Sequence, residues 1–125
     1  MSTDPYSKRV RELFDAPVHA GILDRASIVE VAEQGVRIRL YAEIEDGEAR
    51  ALRFRVWGCP HAIAAAEAFC AGYEGRPVAD LLDFSATDLM QSLSVPVEKT
   101  GRILVIEDAV RSLGSVAGGV SKPDD

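Results

Sequence analysis

Cysteine is scarce in this chain: 2 in 125 residues, Cys59 and Cys70. That count excludes a disulfide-stapled scaffold. A chain of this length has no need of one, because folding buries roughly two thirds of the unfolded surface. Histidine is as rare, with His19 and His61 only, and without a C-x-x-C or a paired-histidine motif no ready-made zinc site is written in the sequence. No apolar run is long enough to span a bilayer, and the opening "MSTDPYSKRV" holds no apolar segment that would serve as a secretory signal. The expected location is therefore the cytoplasm, with both thiols reduced. Positive charge is in deficit, 14 Lys and Arg against 20 Asp and Glu, for a net charge of -6. The basic residues are dispersed among acids, which argues against a nucleic-acid groove or an anionic membrane and suits a cationic ligand or a basic protein surface. There is also no nucleophile–base pair, no phosphate loop and no paired-carboxylate motif, so the chain is not expected to be an enzyme.

What is present is ordinary for one globular domain: 47% apolar and 27% charged residues. Asp4-Pro5 is a helix start, and Val10, Leu13 and Phe14 share a face, so residues 5–14 read as a short helix closed by Pro17 and Gly21. Residues 27–32, 36–44 and 50–57 read as strands. Val36, Ile38, Leu40 and Ala42 alternate with Arg37, Arg39 and Tyr41, and Leu52, Phe54 and Val56 alternate with Arg53 and Arg55. "EDG" at 45–47 is a hairpin signal between the second and third strands. After Pro60 the pattern turns helical, with Ile63, Ala66, Cys70 and Tyr73 in one stripe widened by Ala62 and Phe69, and Gly75 as C-cap. Short helices follow at 78–82 and, behind a capping pair of Ser85 and Asp88, at 86–93; Ile103, Ile106, Val110 and Leu113 mark the last helix. The expected fold is α+β: an N-terminal helix, a three-stranded antiparallel sheet, then helices packed on one face of the sheet. Residues 1–113 form the domain, and 114–125 are expected to be a flexible tail.

Cys59 stands in "RVWGCPHAI", where a strand ends and a helix begins. A first-turn cysteine faces unpaired backbone N–H groups and the positive end of the helix dipole, which favour the thiolate that binds metal or attacks sulfur. The same field keeps His61 neutral and able to ligate. The competing reading is that Cys59 is a small residue filling a turn. Cys70, among apolar neighbours on the helix stripe, reads as core. His19, in a loop after Pro17, reads as a surface or capping residue.

Four collinear segments resemble a known family: "YSKRVRELFDAPVHAG" (6–21), "RFRVWGCPHAIAAAEAF" (53–69), "YEGRPVADL" (73–81) and "LSVPVEKTGRILVIEDAV" (93–110). They are similar to the iron–sulfur cluster scaffold proteins of the NifU N-terminal, IscU-like type, whose helix–three strands–helices plan agrees with the pattern above. The resemblance implies a site of three cysteines on three loops, helped by an aspartate and a histidine. Soft thiolates hold iron and sulfide, and an incomplete set leaves iron open to water.

Only the middle cysteine of that family pattern is kept here, as Cys59. The first falls on Glu33 in "AEQGV", with Gln34 or Gly35 at the aspartate; the histidine and third cysteine fall on Gly101 and Arg102. Glu33 offers a hard oxygen to iron. Arg102 brings a fixed positive charge that opposes a cation but stabilises a thiolate or persulfide on Cys59. The resemblance thus implies a scaffold-like or accessory protein of iron–sulfur cluster assembly, binding iron or a cluster through Cys59, Glu33 and His61 in a site lined by Gln34, Gly35, Gly101 and Arg102. It also implies a cysteine desulfurase or other assembly proteins as partners, and a homodimer if a cluster is shared between two copies of Cys59. The alternative keeps the fold without metal, as an interaction or sulfur-relay module whose Cys59 accepts a persulfide.

Overall fold

The computed structural model describes residues 8–15, 17–58, 60–93, 95, 97 and 100–117. The expected helix start at Asp4-Pro5, and Cys59 itself, lie outside them. The elements are α1 (Lys8–Asp15), β1 (Ser27–Glu33), β2 (Val36–Glu45), β3 (Glu48–Trp57), α2 (Pro60–Tyr73), α3 (Ala79–Leu82), α4 (Thr87–Ser92) and α5 (Thr100–Ala117). α5 runs past the start of the expected tail at 114, and residues 118–125 lie outside the described set.

The sheet is an antiparallel meander in the order β1-β2-β3. Both of its turns are two residues long with two positive φ angles, Gln34 (55°) and Gly35 (76°) between β1 and β2, Asp46 (54°) and Gly47 (77°) between β2 and β3. Such turns match the right-handed twist of the strands they join. A register shift at Glu43/Ile44 bends the hairpin. The loop after α1 returns beside β3: the Phe54 N–H donates to the His19 carbonyl (3.0 Å) and the Gly21 N–H donates to the Phe54 carbonyl (2.9 Å). The third strand is therefore covered along its outer edge.

Period-two alternation sends Val36, Ile38, Leu40 and Ala42, and Leu52 and Phe54, into the core, and the register shift adds Ala49, three residues before Leu52. There they meet Ile103, Ile106, Val110 and Leu113 of α5 and Phe69 of α2. Burying each large side chain contributes about 1.5–3 kcal/mol. α5 crosses β1 and β2, α2 packs on β3, α1 and α5, and α3 packs on α5.

Three details differ from expectation. α2 is buried around most of its circumference, from His61 through Cys70, and not along one stripe. Its alanines let β3, α1 and α5 approach from three sides. Tyr41, on the outer face of the sheet, is buried (4%) between its cross-strand neighbours Ile28 and Arg53, with the Arg39 guanidinium at 3.5 Å from its hydroxyl. Arginine stems cover apolar surface in this way. The capping pair Ser85/Asp88 does not form the start of α4: the N-cap is Ala86, without a side-chain cap bond. Glu107 of α5 takes the Ala86 N–H instead (2.8 Å), and Ser85 Oγ accepts from the Thr87 N–H (3.4 Å).

Candidate functional site

One end of the sheet gathers three chain segments: the β1–β2 turn, the β3–α2 junction and the start of α5. Two glycines mark the close approaches. A Cβ at Gly58 would lie 3.0 Å from Val36 Cγ2, and the φ of +155° there is one that side chains rarely adopt. A Cβ at Gly101 would lie 3.4 Å from Gln34 Oε1. The short 33–36 stretch is thus touched from both sides, by the residue before Cys59 and by the residue before Arg102.

Glu33 closes β1 and is exposed; Gln34 and Gly35 form the turn; Gly101 and Arg102 open α5 and are half-buried. His61, in the first turn of α2, is buried at 1% exposure. That burial sets His61 apart from the exposed Glu33. Gly58, the residue before Cys59 in sequence, follows the end of β3, and Pro60, the residue after it, opens α2. Among the described residues, of which Cys59 is not one, no group of three His, Cys, Asp or Glu side chains is arranged to hold a metal ion. Cys70 is fully buried, and that burial pushes its thiol well up from its ordinary value, helped by the nearby Glu67 and Glu74. It is core, and as a thiol it is inert.

The site has a neighbour that sequence reasoning passed over. A hollow of about 410 Å³ is lined by Ala32, Glu33, Gly35, Val36, Arg37 and Trp57, so Arg37 and the indole share a wall with Glu33. The signal was available: Trp57 continues the outward alternation of Arg53 and Arg55.

His19, read from sequence as a surface or capping residue, is held in a polar cluster. Its side chain is 12% exposed. Glu67 receives its backbone N–H (2.7 Å) and contacts ring Nδ1 (2.6 Å), while Nε2 meets Glu74 (3.2 Å). Glu74 further accepts from the Leu52 N–H (2.9 Å) and Arg53 Nη1 (2.9 Å). Burial alone would raise the Glu74 carboxyl; the hydrogen bonds from Leu52, His19 and Arg53 outweigh it and hold the carboxyl below its ordinary value. This latch ties the 19–21 segment to α2 and β3.

With this geometry in place, comparison with known proteins decides the lineage. The family model described as the NifU-like N terminal domain matches residues 5–113. The chain belongs to that family. It is 30% identical over 112 residues to the iron-sulfur cluster assembly protein IscU of Plasmodium falciparum, spanning 85% of this chain and 69% of the relative. It is 28% identical over 114 residues to the iron-sulfur cluster assembly scaffold protein IscU of Rickettsia prowazekii, spanning 86% and 87%. The crystal structure of a nitrogen-fixing NifU-like protein (N-terminal) from Brucella abortus superposes with a TM-score of 0.70 at 17% identity, covering 92% of this chain and 95% of that one. That last likeness is one of fold, and it supports the α+β plan of helix, three strands and covering helices. Among the described residues no helix is long and apolar enough to cross a membrane.

Proposed function

We propose that this chain is a scaffold-like or accessory protein of iron–sulfur cluster assembly, not a catalyst, taking iron or a cluster as cargo at a degenerate site centred on Cys59. Glu33 and His61 are the other donors, and Gln34, Gly35, Gly101 and Arg102 line the site. The observation that carries the reading is the meeting of the three family loops, with Gly58 against Val36 and Gly101 against Gln34. Relatives named as assembly proteins along most of the chain support the process. One copy supplies one site thiolate, too few for a cluster held by cysteines alone. A cluster therefore needs a second copy of the chain or an outside thiol. The reading places the protein in a reducing compartment such as the cytoplasm, with a cysteine desulfurase as sulfur donor.

Arg102 favours a second reading, because a fixed cation in a ligand's place suits an anionic sulfur better than iron. In it the Cys59 thiolate attacks the outer sulfur of a donor persulfide. The donor S–S bond breaks, its inner sulfur leaves as thiolate, and Cys59 becomes the persulfide, with no net redox change.

Anaerobic incubation with ferrous iron and sulfide separates the two. Visible charge-transfer absorption that disappears in Cys59→Ala and falls in Glu33→Ala is the result expected of the first reading. No colour, with a mass gain of one sulfur atom on Cys59 after exposure to a desulfurase and its substrate, transfers the site to the second. Cys70 should stay unloaded in both. Absence of colour and of sulfur gain would sink both readings.

A further inference from the structure

The outer face of the sheet concentrates positive charge that the chain's total conceals. Against a net charge of -6, Arg37 and Arg39 of β2 and Arg53 and Arg55 of β3 point to one side, framing Trp57. Arg39 is paired with Glu30 (2.7 Å) and Arg53 with Glu74 (2.9 Å). Among the described residues neither Arg37 nor Arg55 pairs with a carboxylate. Their guanidinium carbons lie 5.8 and 5.1 Å from the centre of the Trp57 ring, and that of Arg39 at 5.7 Å. Arg39 and Arg55 also stand directly opposite each other across the strand pair. Like charges in that position destabilise a sheet; Glu30 answers Arg39 from the far side, which leaves Arg55 as the member of the pair that no carboxylate meets among the described residues. The indole is 41% exposed at the centre of the group, and tryptophan and arginine together are the composition of interface hot spots.

We propose that this face is a docking surface for an acidic segment of a partner protein, with carboxylates on Arg37 and Arg55 and an apolar side chain on the Trp57 indole. The size of the patch selects the class of partner. A long polyanion or an anionic bilayer would extend beyond it onto an acidic molecule and be repelled, whereas a short acidic segment matches it in charge and length. Position adds a consequence: Trp57, Arg37 and Glu33 line one hollow, so a partner seated here lies beside the β1–β2 turn and the end of β3. The face needs neither iron nor sulfide, and its test is independent of the cargo bound.

Trp57 is the sole tryptophan, so its fluorescence reports on this surface alone. In the first measurement, iodide should quench it more than caesium does, and the order should invert in Arg37→Glu/Arg55→Glu. Caesium quenching the native protein as well as iodide would overturn the proposal. In the second, a fluorescein-labelled peptide of Asp and Glu around a central Phe is titrated by anisotropy at low and high salt. Binding should weaken with salt and fall by about tenfold or more in Arg37→Glu/Arg55→Glu, as expected for loss of close charge pairs. Arg37→Gln/Arg55→Gln should lie between, and Arg25→Glu/Arg50→Glu, with the same change in net charge, should bind like the native chain. No binding to the native protein, or equal losses in the two charge-reversed variants, would overturn the proposal. So would tighter binding of oligouridine RNA or phosphatidylglycerol vesicles than of the peptide.

Discussion

Around His19, each charged group answers another within the same chain: the buried Glu67 holds the His19 ring and backbone, and Glu74 holds His19, Arg53 and the Leu52 amide. Around Trp57, on the same strand β3, charge is left over: Arg55 faces Arg39 across the sheet and neither Arg55 nor Arg37 meets a carboxylate among the described residues. Arg53 and Arg55 are two residues apart and point to the same side, yet one is neutralised and the other is not. A balanced polar cluster at low exposure does structural work, because breaking it leaves buried groups unpaired. An unbalanced one at the surface contributes little to stability or opposes it, which is why it reads as a surface for another molecule.

The largest test of that contrast is Glu67→Ala. The lost carboxylate strands the His19 N–H and ring Nδ1, leaving only Nε2 its partner Glu74, in a site that is 12% exposed on the histidine side and 4% on the glutamate side. A destabilisation of about 2–4 kcal/mol is expected, read from the urea midpoint. Glu67→Gln, which keeps an acceptor for the His19 amide, should recover a good part of it. A loss under about 0.5 kcal/mol, typical of surface substitutions, would mean that the latch is not structural and that the contrast fails.

The elements were legible because their periods are written plainly: Val36, Ile38 and Leu40 at spacing two, Ile103, Ile106 and Val110 at helical spacing. The all-round burial of α2 was not, since an alanine-rich helix has the same sequence whether one side or three are covered. The latch was illegible for another reason: its members are 48 and 55 positions apart, and nothing local in "PVHAG" announces Glu67. The face lay between these cases. The alternation of arginines was visible, but only the register sets Arg39 against Arg55, and a net charge averaged over the molecule pointed to basic partners where this surface fits acidic ones. For the candidate site, the family resemblance supplied the positions; the close approaches of Gly58 to Val36 and Gly101 to Gln34 come from the fold.

Glu74→Gln sharpens the same contrast through pH. The Glu74 carboxyl sits below its ordinary value in the folded chain. Its contribution is therefore present above the ordinary glutamate range, near about pH 4.3, and is lost as pH falls through and below that range. At pH 7 the variant should be less stable by about 1 kcal/mol, the scale of a charge-assisted hydrogen bond weakened but not removed. Melting curves of the two proteins should converge as pH is lowered through 4.3, about the unfolded-state value. A constant gap across that range would remove Glu74 from the acid response.

The smallest expected effect is the one most specific to the face. Arg55 and Arg76 make a matched pair: each guanidinium lies over an aromatic ring, Arg55 at 5.1 Å from the Trp57 centre and Arg76 at 4.4 Å from Tyr73. They differ in their charged neighbour, since Arg76 meets Asp80 (3.0 Å) and Arg55 stands opposite Arg39. Replacing either with Gln gives up a ring contact of about 0.5–1 kcal/mol. Arg55→Gln also relieves a like-charge pair of about 0.2–1 kcal/mol, whereas Arg76→Gln breaks an opposite-charge pair of roughly 0.3–0.5 kcal/mol. At low salt the two variants should separate by several tenths of a kcal/mol, with Arg55→Gln the more stable. The gap should close as the Debye length shrinks to about 3 Å at 1 M salt. Equal losses at low salt would mean that Glu30 already cancels the repulsion between Arg39 and Arg55, and the contrast would then rest only on the absence of a carboxylate partner for Arg37 and Arg55 among the described residues.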